Sequence, residues 1–566
     1  MTLTRKLRDF ALSETTIQVL LLLVGLAAIT MVFWPLQFST RSICCGDFDG
    51  YYHIAWSRML WNGLRARHLP QFTALPLTTL NARDYVDHHF LFHVFQIPFT
   101  WFRDLALGAK IASLVFAILA VFSCYWLLVT YRIRYALVWL VALLACSTPF
   151  LFRLNMAKAP PFAIIYLVLG IYIFFSRKYW FLVPLSFLFT LTYDMFVLLI
   201  AATLIWIVVI AWTERRFEWR PLVFVVLGTA LGLVVNPYFP RNLVLLYEHL
   251  KIKLTLGNFT TKVGQEWYPY SSWEFFGNSV VACVAMVAGY IAFDPADRKR
   301  AHHSLFFLIF STLLMVMTLR WKRIAEYWPP FAVMFAAFSL QPWLEGPRSV
   351  FTRLPSHMLE ELQPFLDRHT PSIRTDTQEL VQLFCAAAVA VILGGVLFVN
   401  LRVTQKDIAE SARPSHFKAG MQWVRSNVQP GEIIFNTDWD DFPRLFYFDP
   451  THRYVSGLDP TYLYDRDREL SELYDRITLG QEKDPGPLIR DRFGARYIFT
   501  DNSDDHLKFY GNAMDSGWFD VKYEDSDCTV LQIRDQKIEP APQEKDENNT
   551  DNTNDEEEED NNTPPE

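Results

Sequence analysis

Long apolar runs are the feature of this sequence that most constrains its fold. A helix that crosses a membrane needs about 20 predominantly apolar residues, and runs of that kind recur between residues 16 and 400. Because 52% of the residues are hydrophobic and only 20% are charged, the chain is too apolar for an ordinary soluble enzyme. The pattern predicts a mainly α, polytopic membrane bundle of about eleven spans. The predicted spans are residues 16–35, 108–130, 135–150, 161–176, 180–192, 195–212, 221–237, 278–293, 303–318, 328–343 and 379–400.

The positions of the basic residues predict how the bundle is oriented. Lys and Arg occur before the first predicted span at residues 5–8 and between later spans at 132–134, 177–178, 215–220 and 298–300, which all fall on one side. The positive-inside rule assigns that side to the cytoplasm. We therefore expect a multi-pass protein of the cytoplasmic (cell) membrane with a cytoplasmic N-terminus. Two long loops, at about 36–107 and 238–277, then lie on the outer side.

The chain divides into three predicted parts. Residues 1–402 form the membrane domain. Residues 403–535 are expected to form a small soluble α/β extracytoplasmic domain, because an amphipathic helix is followed by short strand patterns at 432–436, 497–500 and 529–533. Residues 536–566 are predicted to be a disordered acidic tail, since they contain almost nothing apolar. No basic patch of the type that binds nucleic acid occurs, so no nucleic-acid partner is expected.

Two acidic residues open the first long loop, directly after the first apolar run. Asp47 and Asp49 are separated by one residue, and carboxylates held that close can bind a divalent cation such as Mg²⁺ or Mn²⁺. A cation at this position would neutralise charge on a departing phosphate. The alternative is that Asp49 only caps the helix that follows, since Asp is a favoured N-cap residue. The adjacent Cys44 and Cys45 are not expected to bridge each other easily.

Further polar residues fall on the same predicted side of the membrane. His88 is a second candidate metal ligand in the first long loop, although interfacial histidines more often pack and hydrogen-bond. Glu266 lies in the later loop, and its alternative is a solvated loop acid. Three cations, Arg320, Lys322 and Arg323, lie on the side that the positive-inside rule would leave free of them, which indicates an anionic partner. Acids for a cation and cations for a phosphate together predict a site for a lipid-linked phosphate.

These motifs resemble those of a known class of membrane enzyme. Residues 47–50, Asp-Phe-Asp-Gly, followed by Leu-Trp-Asn-Gly at 60–63, are similar to the first outer loop of GT-C glycosyltransferases. The similarity is greatest to the catalytic subunit of oligosaccharyltransferase, whose pattern there is Glu/Asp-Phe-Asp-Pro and then a helix ending in Asn-Gly. Residues 263–269, Val-Gly-Gln-Glu-Trp-Tyr-Pro, resemble a later loop of that family in which a Glu precedes a Pro.

The resemblance implies roles for individual residues. It implies that Asp49 and Glu266 are catalytic and bind the metal, with Asp47 as a further acid. It also implies that the basic cluster of Arg320, Lys322 and Arg323 binds the donor phosphate, because it lies where the family binds that group.

Two parts of the family pattern are missing from this sequence. The second acidic motif is absent, since the corresponding residues 152–160 are basic, and Asp194 at the next turn is the candidate metal ligand that replaces it, or else a helix cap. The family's Trp-Trp-Asp-Tyr-Gly acceptor motif is also not reproduced. Trp439 and Asp440 follow a predicted strand at a comparable place and are the candidate acceptor-binding residues.

The sequence therefore predicts a glycosyltransferase of the oligosaccharyltransferase-like type. It would move a sugar or oligosaccharide from a polyprenyl-phosphate or polyprenyl-pyrophosphate carrier to a protein, lipid or glycan acceptor at the outer face, among membrane lipids. One alternative is a metal-independent transferase that uses a polyprenyl-monophosphate sugar to modify lipid or envelope glycan. The other alternative is a non-enzymatic membrane protein or a transporter, for which charged or broken segments at mid-membrane depth would be expected.

Overall fold

The structure is a computed structural model of the chain and describes residues 14–45, 48–254, 264–295, 298–344 and 375–538. Two predictions, the role of Asp47 and the disorder of the tail beyond residue 538, lie outside these described residues.

Helices follow the apolar runs through the first three quarters of the chain, and each predicted span overlaps at least one of them. In chain order they are α1 (Glu14–Gln37), α2 (Asp49–Arg65), α3 (Phe90–Gln96), α4 (Leu105–Thr130), α5 (Ala136–Ala145), α6 (Thr148–Leu154), α7 (Pro160–Ser176), α8 (Leu182–Thr192), α9 (Val197–Glu214), α10 (Arg220–Val235), α11 (Arg241–Leu254), α12 (Ser272–Asn278), α13 (Val280–Ala292), α14 (Arg298–Arg320), α15 (Trp328–Leu344) and α16 (Thr375–Ala409). Short 3₁₀ turns include Asp194–Phe196, Gln265–Trp267 and Lys322–Glu326.

The predicted number of about eleven spans is not confirmed. Among the described residues, five helices are long and apolar enough to cross a membrane, and they lie within α1, α4, α9 with the turn before it, α14 and α16. The number rises to seven if each bent pair counts as one span, with α5 and α6 meeting at 84° and α12 and α13 at 88°. The apolar helices α7, α8 and α10 are shorter. The chain is thus a multi-pass membrane protein, whereas its orientation stays a prediction.

The C-terminal domain is a small α/β unit, as predicted. Its elements are α17 (Lys418–Asn427), β1 (Ile433–Asn436), α18 (Phe442–Phe448), β2 (Arg453–Tyr454), α19 (Thr461–Arg466), α20 (Arg468–Thr478), α21 (Pro485–Leu488), β3 (Tyr497–Asp501), α22 (Leu507–Asp515), β4 (Phe519–Glu524) and β5 (Cys528–Ile533). The strands form one sheet in the order β2-β1-β3-β5-β4, with β1 parallel to β2 and β3. Strand β5 is antiparallel to β3 and β4, and pairs Leu531 with Ile498.

Arg444 of α18 fastens the C-terminal domain to the first long loop. Its guanidinium carbon lies 4.4 Å from the ring centroid of Phe48 and 4.5 Å from that of Tyr51. The same group donates hydrogen bonds to three backbone carbonyls just before α17. Because a cation over two aromatic faces is attracted by both ring quadrupoles, the buried Arg444 holds α18 against the start of α2.

Backbone hydrogen bonds extend this contact. The Tyr454 amide donates to the Ala74 carbonyl at 2.7 Å, and the Thr79 amide donates to the Tyr462 carbonyl at 3.0 Å. One apolar cluster contains buried side chains from both segments, among them Trp56 of α2 and Phe442 of α18. The first long loop and the C-terminal domain therefore form one packed unit above the helices.

The structure corrects one expectation in the first long loop. Cys44 and Cys45 are joined by a disulfide bond. The peptide between them is cis, which leaves their Cα atoms 3.2 Å apart. The remaining cysteines within the described part of the chain are free thiols.

Candidate active site

A cavity of about 430 Å³ lies where the first long loop, the ends of several membrane helices and the C-terminal domain meet. From the first long loop its lining residues are Asp49, Tyr52, His53, Leu80, Tyr85, Val86, Asp87, His88, His89 and His93. From the rest of the membrane domain they are Tyr193, Asp194, Trp267, Tyr268, Pro269, Arg320, Trp321 and Arg323. From the C-terminal domain they are Leu458, Asp459, Thr461 and Tyr462. The cavity mixes aromatic surface with a few converging charged groups, which is the usual character of a ligand site.

Asp49 is at the edge of this cavity and forms an ion pair. It is the first residue of α2, and the residue before it, Phe48, provides no side-chain cap. Asp49 Oδ2 lies 2.8 Å from Nζ of Lys158, which comes from the turn between α6 and α7. Asp49 therefore lies inside the helix rather than at the N-cap position, and a lysine side chain already balances its charge.

Glu266 lies behind the cavity wall and is held by two arginines. Its Oε2 accepts from Arg153 at 2.8 Å, and its Oε1 accepts from Arg323 at 2.7 Å. Arg153 is shared with the buried Glu326, at 3.0 Å. Burial alone would raise the pKa of Glu266, but the positive charges of Arg323 and Arg153 outweigh it, so this pKa lies well below its ordinary value. Glu266 is thus an ionised, fully paired carboxylate rather than a solvated loop acid.

The ion-paired residues around Asp49 and Glu266 are together called the ion-pair wall, and they are Asp49, Lys158, Glu266, Arg153 and Arg323. Arg323 also donates to the Tyr193 hydroxyl at 2.9 Å, and its guanidinium carbon lies 5.2 Å from the Trp267 ring centroid. Arginine suits this position because its planar, always charged group can bond a carboxylate and a phenol while stacking on an indole.

The three cations predicted to bind a phosphate differ in their surroundings. Arg320, the last residue of α14, is exposed and lines the cavity, and no hydrogen bond or ion pair is found for it among the described residues. Arg323 lines the cavity too, but already bonds Glu266. Lys322 points elsewhere: its Nζ is 3.0 Å from Glu274 and 5.2 Å from the Tyr270 ring centroid. Arg320 is therefore the cation best placed to meet an anionic ligand.

A second wall of the cavity consists of a carboxylate and two imidazoles in series, which we call the imidazole relay. The Asp87 oxygens lie 2.9 and 2.8 Å from Nδ1 of His93, and Nε2 of His93 lies 2.8 Å from Nδ1 of His53. The indole of Trp56 and the backbone amide of His89 also donate to Asp87, each at 3.0 Å. All three members of the relay are buried and line the cavity.

The surroundings of the imidazole relay lower the pKa values of Asp87 and His53. Burial raises the pKa of Asp87, but the neighbouring His93 and the hydrogen bonds from His93 and Trp56 outweigh burial, so the net shift is downward. Burial, followed by the charges of His93, Lys158 and His88, lowers the pKa of His53 well below its ordinary value. The carboxylate is therefore ionised and the His53 imidazole neutral near pH 7.

The predicted metal ligands do not form a metal site. Among the described residues, no three His, Cys, Asp or Glu side chains are grouped so that they could hold an ion. Asp49 and Glu266 are each paired with basic side chains. The ring of His89, the residue after His88, stacks on the ring of Tyr193. The side chains at the predicted positions therefore do not fit a divalent cation, because hard cations need several free oxygen ligands.

The C-terminal domain reaches the cavity by a segment that the sequence does not single out. Trp439 and Asp440 follow β1, as predicted, but they are not among the lining residues; Leu458, Asp459, Thr461 and Tyr462 are. An acceptor role for Trp439 and Asp440 stays a prediction. Asp194, at the start of its 3₁₀ turn, does line the cavity beside Tyr193.

The sequence motifs assign no role at this site to Arg153, Lys158, His53 or His93, all of which bond other residues of the site. Arg153 and Lys158 were read only as a basic stretch in place of an acidic motif, and nothing in the sequence names their carboxylate partners. His53 was passed over, although it lies one helical turn after Asp49, a spacing that places both side chains on one face of α2.

Comparison with known proteins gives matches in structure only. No protein-family model matches the sequence, and no curated protein matches it. The structure is similar to the oligosaccharyltransferase of Archaeoglobus fulgidus, crystallised with a tethered acceptor peptide containing the NVT sequon, with a TM-score of 0.56 and 11% identity over 90% of this chain and 74% of that chain. It is also similar to the arabinofuranosyltransferase AftD from Mycobacteria, with a TM-score of 0.51 and 13% identity over 90% of this chain and 40% of that chain.

The predicted resemblance to GT-C glycosyltransferases is thereby confirmed at the level of the fold, since both neighbours belong to that class. A shared fold at such low identity does not carry an activity with it. The chemistry therefore has to be argued from the cavity.

Proposed function

We propose that this protein is a membrane glycosyltransferase that moves a sugar or glycan from a polyprenyl-phosphate or polyprenyl-pyrophosphate carrier to an acceptor bound in the cavity. The observation that carries the proposal is that one cavity brings together the ion-paired Asp49, the imidazole relay and Arg320, which has no ion pair among the described residues. The two neighbours in fold, an oligosaccharyltransferase and an arabinofuranosyltransferase, support the same class of reaction.

In this proposal the donor phosphate lies against Arg320, with Arg323 behind it. The acceptor's nucleophile attacks the anomeric carbon, and the bond from that carbon to the phosphate oxygen breaks. A cation placed where negative charge develops stabilises the transition state without reorganisation. Asp49, held in place by Lys158, orients the acceptor or the sugar hydroxyls in the same cavity.

The ion-pair wall favours the metal-independent form of this reaction over the form that uses a divalent metal ion. Lys158 and Arg153 supply positive charge beside Asp49 and Glu266, the acids for which a divalent cation was predicted. Mg²⁺ or Mn²⁺ could bind there only if Asp49 and Glu266 gave up those pairs.

The test is sugar transfer by the purified full chain, using a panel of synthetic polyprenyl-phosphate and polyprenyl-pyrophosphate sugars. Arg320→Gln should lower the transfer rate by about 100-fold, since a neutral amide cannot compensate a phosphate charge. Asp49→Asn should cause a comparable loss while the protein stays folded, because the amide cannot pair with Lys158. The matched control is Arg132→Gln, which removes an exposed arginine whose partner is the equally exposed Glu14. Full activity of both Arg320→Gln and Asp49→Asn would refute the proposal.

A further inference from the structure

We propose that the imidazole relay takes the proton from the acceptor during sugar transfer, and that the acceptor group is therefore a hydroxyl. This inference rests on the proposed glycosyl transfer and assigns a task to three residues, Asp87, His93 and His53, that neither the motifs nor the fold comparison identifies.

The hydrogen bonds determine which nitrogen carries each proton. An ionised carboxylate can only accept, so Nδ1 of His93 must be protonated toward Asp87. A His93 ring with that single proton accepts at Nε2, and Nδ1 of His53, at 2.8 Å, is then its donor. This leaves the lone pair of His53 on Nε2, the nitrogen not engaged with His93. A neutral imidazole at a cavity wall with an assigned lone pair is a proton acceptor.

Two hydrogen-bond donors hold Asp87, the carboxylate end of the imidazole relay, in place. The Trp56 indole and the His89 amide occupy both carboxylate oxygens, so Asp87 is held ionised and correctly oriented for His93. A carboxylate in this position fixes the tautomer of a neighbouring imidazole and stabilises the imidazolium that forms when a proton arrives. Asp87 and His93 are accordingly positioning residues that act through His53.

The acceptor oxygen forms a bond to the anomeric carbon, and the bond between that carbon and the phosphate oxygen breaks, so the polyprenyl phosphate leaves with the electron pair. The acceptor's proton moves to Nε2 of His53. The proton on Nδ1 of His53 can then move to Nε2 of His93, so that the positive charge rests on His93 beside Asp87. The proton is released to solvent when the product leaves.

The relay suits a hydroxyl better than an amide. A hydroxyl oxygen has a free lone pair and needs only a proton acceptor as it attacks. An amide nitrogen shares its lone pair with the carbonyl, so it must first be twisted by strong acceptors for both of its protons. Of the carboxylates that line the cavity, Asp49 pairs with Lys158, Asp87 bonds His93, and Asp459 accepts from Thr461. The remaining lining carboxylate, Asp194, supplies one such group rather than two, and Glu266 behind the wall is paired with Arg153 and Arg323.

Other titratable groups surround His53, and their charges contribute to its protonation. On its own helix Asp49 lies one turn away, paired with Lys158 from the α6–α7 turn. The ring of His89 is 5.3 Å from that of His53, centroid to centroid. The charged or titratable groups to be considered with His53 are Asp49, Asp87, His88, His89, His93 and Lys158. An apparent pKa measured from activity therefore belongs to the relay as a whole.

The first experiment needs no sugar donor. Diethyl pyrocarbonate acylates unprotonated, accessible imidazole nitrogens, and mass spectrometry of the full chain in detergent locates the modification. We expect His53 to be labelled at pH 7 together with the exposed His68, while His93 is not, because both of its nitrogens are engaged. Labelling of His68 without His53 would overturn the assignment of an available lone pair.

The second experiment uses transfer and its pH profile. His53→Gln should lower the rate by about 100-fold or more, the usual contribution of a general base. Asp87→Asn should lower the rate and move the acid limb of the profile to lower pH, because the imidazolium loses its anionic partner; Asp87→Glu should restore part of both. His452→Gln is the matched control, since His452 is equally buried and lies 2.6 Å from Asp449, but lies in the C-terminal domain and does not line the cavity. A wild-type rate and pH profile in both His53→Gln and Asp87→Asn would overturn the inference.

The acceptor class is tested with octyl glucoside, which offers hydroxyls, and with a peptide containing Asn-x-Thr. Transfer to octyl glucoside supports a hydroxyl acceptor, and transfer only to the asparagine overturns it. If the wild-type chain transfers no sugar from any donor in the panel, the proposed function fails, while the labelling experiment still decides whether His53 presents a lone pair. If transfer occurs but the relay variants behave as wild type, only the relay inference fails.

Discussion

The ion-pair wall, whose Asp49 and Arg323 line the cavity, and the imidazole relay both balance the charge of buried carboxylates, but with different kinds of side chain. In the ion-pair wall, buried or half-buried carboxylates are balanced by Lys158, Arg153 and Arg323, which stay charged at any physiological pH. In the imidazole relay, the buried Asp87 is bonded to His93, which in turn bonds His53, and imidazoles can both accept and donate a proton. One wall holds charge in a fixed place, and the other can move it.

This difference indicates a division of labour within one site. Fixed cations suit a phosphate whose negative charge grows as it leaves, whereas titratable imidazoles suit an acceptor that must lose a proton. It also shows that a buried carboxylate alone does not identify its role, since Asp49 and Asp87 line the same cavity and differ in their partners.

The largest effect expected from breaking the ion-pair wall is on stability. Arg153→Gln leaves Glu266 and Glu326 without their shared partner, and Glu326 is 1% exposed. An unpaired buried charge of this kind costs about 3–5 kcal/mol. Thermal and denaturant unfolding in detergent should show the loss. The control Arg132→Gln breaks a pair whose members are 66% and 65% exposed, and should stay within about 1 kcal/mol of wild type. Equal stability of the two variants would contradict the comparison.

Replacing Lys158 tests whether its positive charge beside Asp49 does the work that a divalent metal ion could do. Lys158→Gln removes the cation beside Asp49 and should lower the transfer rate by about 100-fold, the usual cost of a lost electrostatic contact. Because the carboxylate of Asp49 then has a free charge, added Mn²⁺ should restore part of the rate in this variant. Mn²⁺ binding, followed by electron paramagnetic resonance, should increase relative to wild type. A rate that Mn²⁺ cannot change would contradict this account of Lys158.

The pH dependence of stability should separate the two walls. His53 has a folded pKa below its unfolded value of about 6.5. As pH falls below about 6.5 the unfolded chain takes up the proton first, so stability declines until the folded pKa is reached, by at most about 1.4 kcal/mol per pH unit. Glu266 has a lowered pKa, so its contribution is present above about pH 4.3 and is lost only at more acid pH.

The measurement is the difference in unfolding free energy between wild type and His53→Gln from pH 7.5 to 5. Subtracting the two curves removes other histidines, including His452 and His506, whose raised pKa values act in the opposite direction. A difference that stays constant over this range would show that His53 is not the group that titrates.

The smallest expected effect is that of a chelator on the wild-type enzyme. Since Asp49 and Glu266 are already paired with basic side chains, EDTA should leave the rate of sugar transfer unchanged. Apo-protein and protein with added Mg²⁺ should also unfold at the same temperature. A loss of transfer with EDTA that Mg²⁺ restores would place a divalent cation in the reaction and require the ion pairs to open.

Much of the fold could be predicted from the sequence, because it depends on local patterns. The apolar runs correctly predicted a helix at each of the expected spans, and the strand patterns predicted β1, β3 and β5. The number of spans was harder to predict, since hydropathy does not reveal that α5 and α6 form an 84° bend or that α12 and α13 form one of 88°. Such bends are made by packing against other helices.

The site was only half accessible from the sequence. The motifs single out Asp49, Asp194, Arg320 and Arg323, which all line one cavity, and their roles stay predictions. Their partners could not be read, because ion pairs join distant segments: Arg153 and Glu266 are separated by 113 residues. Asp87 and His93 are only six residues apart, but Asp87 precedes α3, so helical spacing does not predict their contact, and His53 joins them from another helix.

The contact of Arg444 with Phe48 and Tyr51 implies that the cavity is completed late during synthesis of the chain. The aromatic pair at the start of α2 is made long before α18 emerges, so for most of translation these rings have no cation above them. The wall formed by Leu458–Tyr462 also arrives only with the last quarter of the chain. Because chains fold from the N-terminus as they are made, the membrane helices are in place before the cavity closes. A ribosome-bound chain whose C-terminal domain has not yet emerged therefore lacks part of the cavity lining.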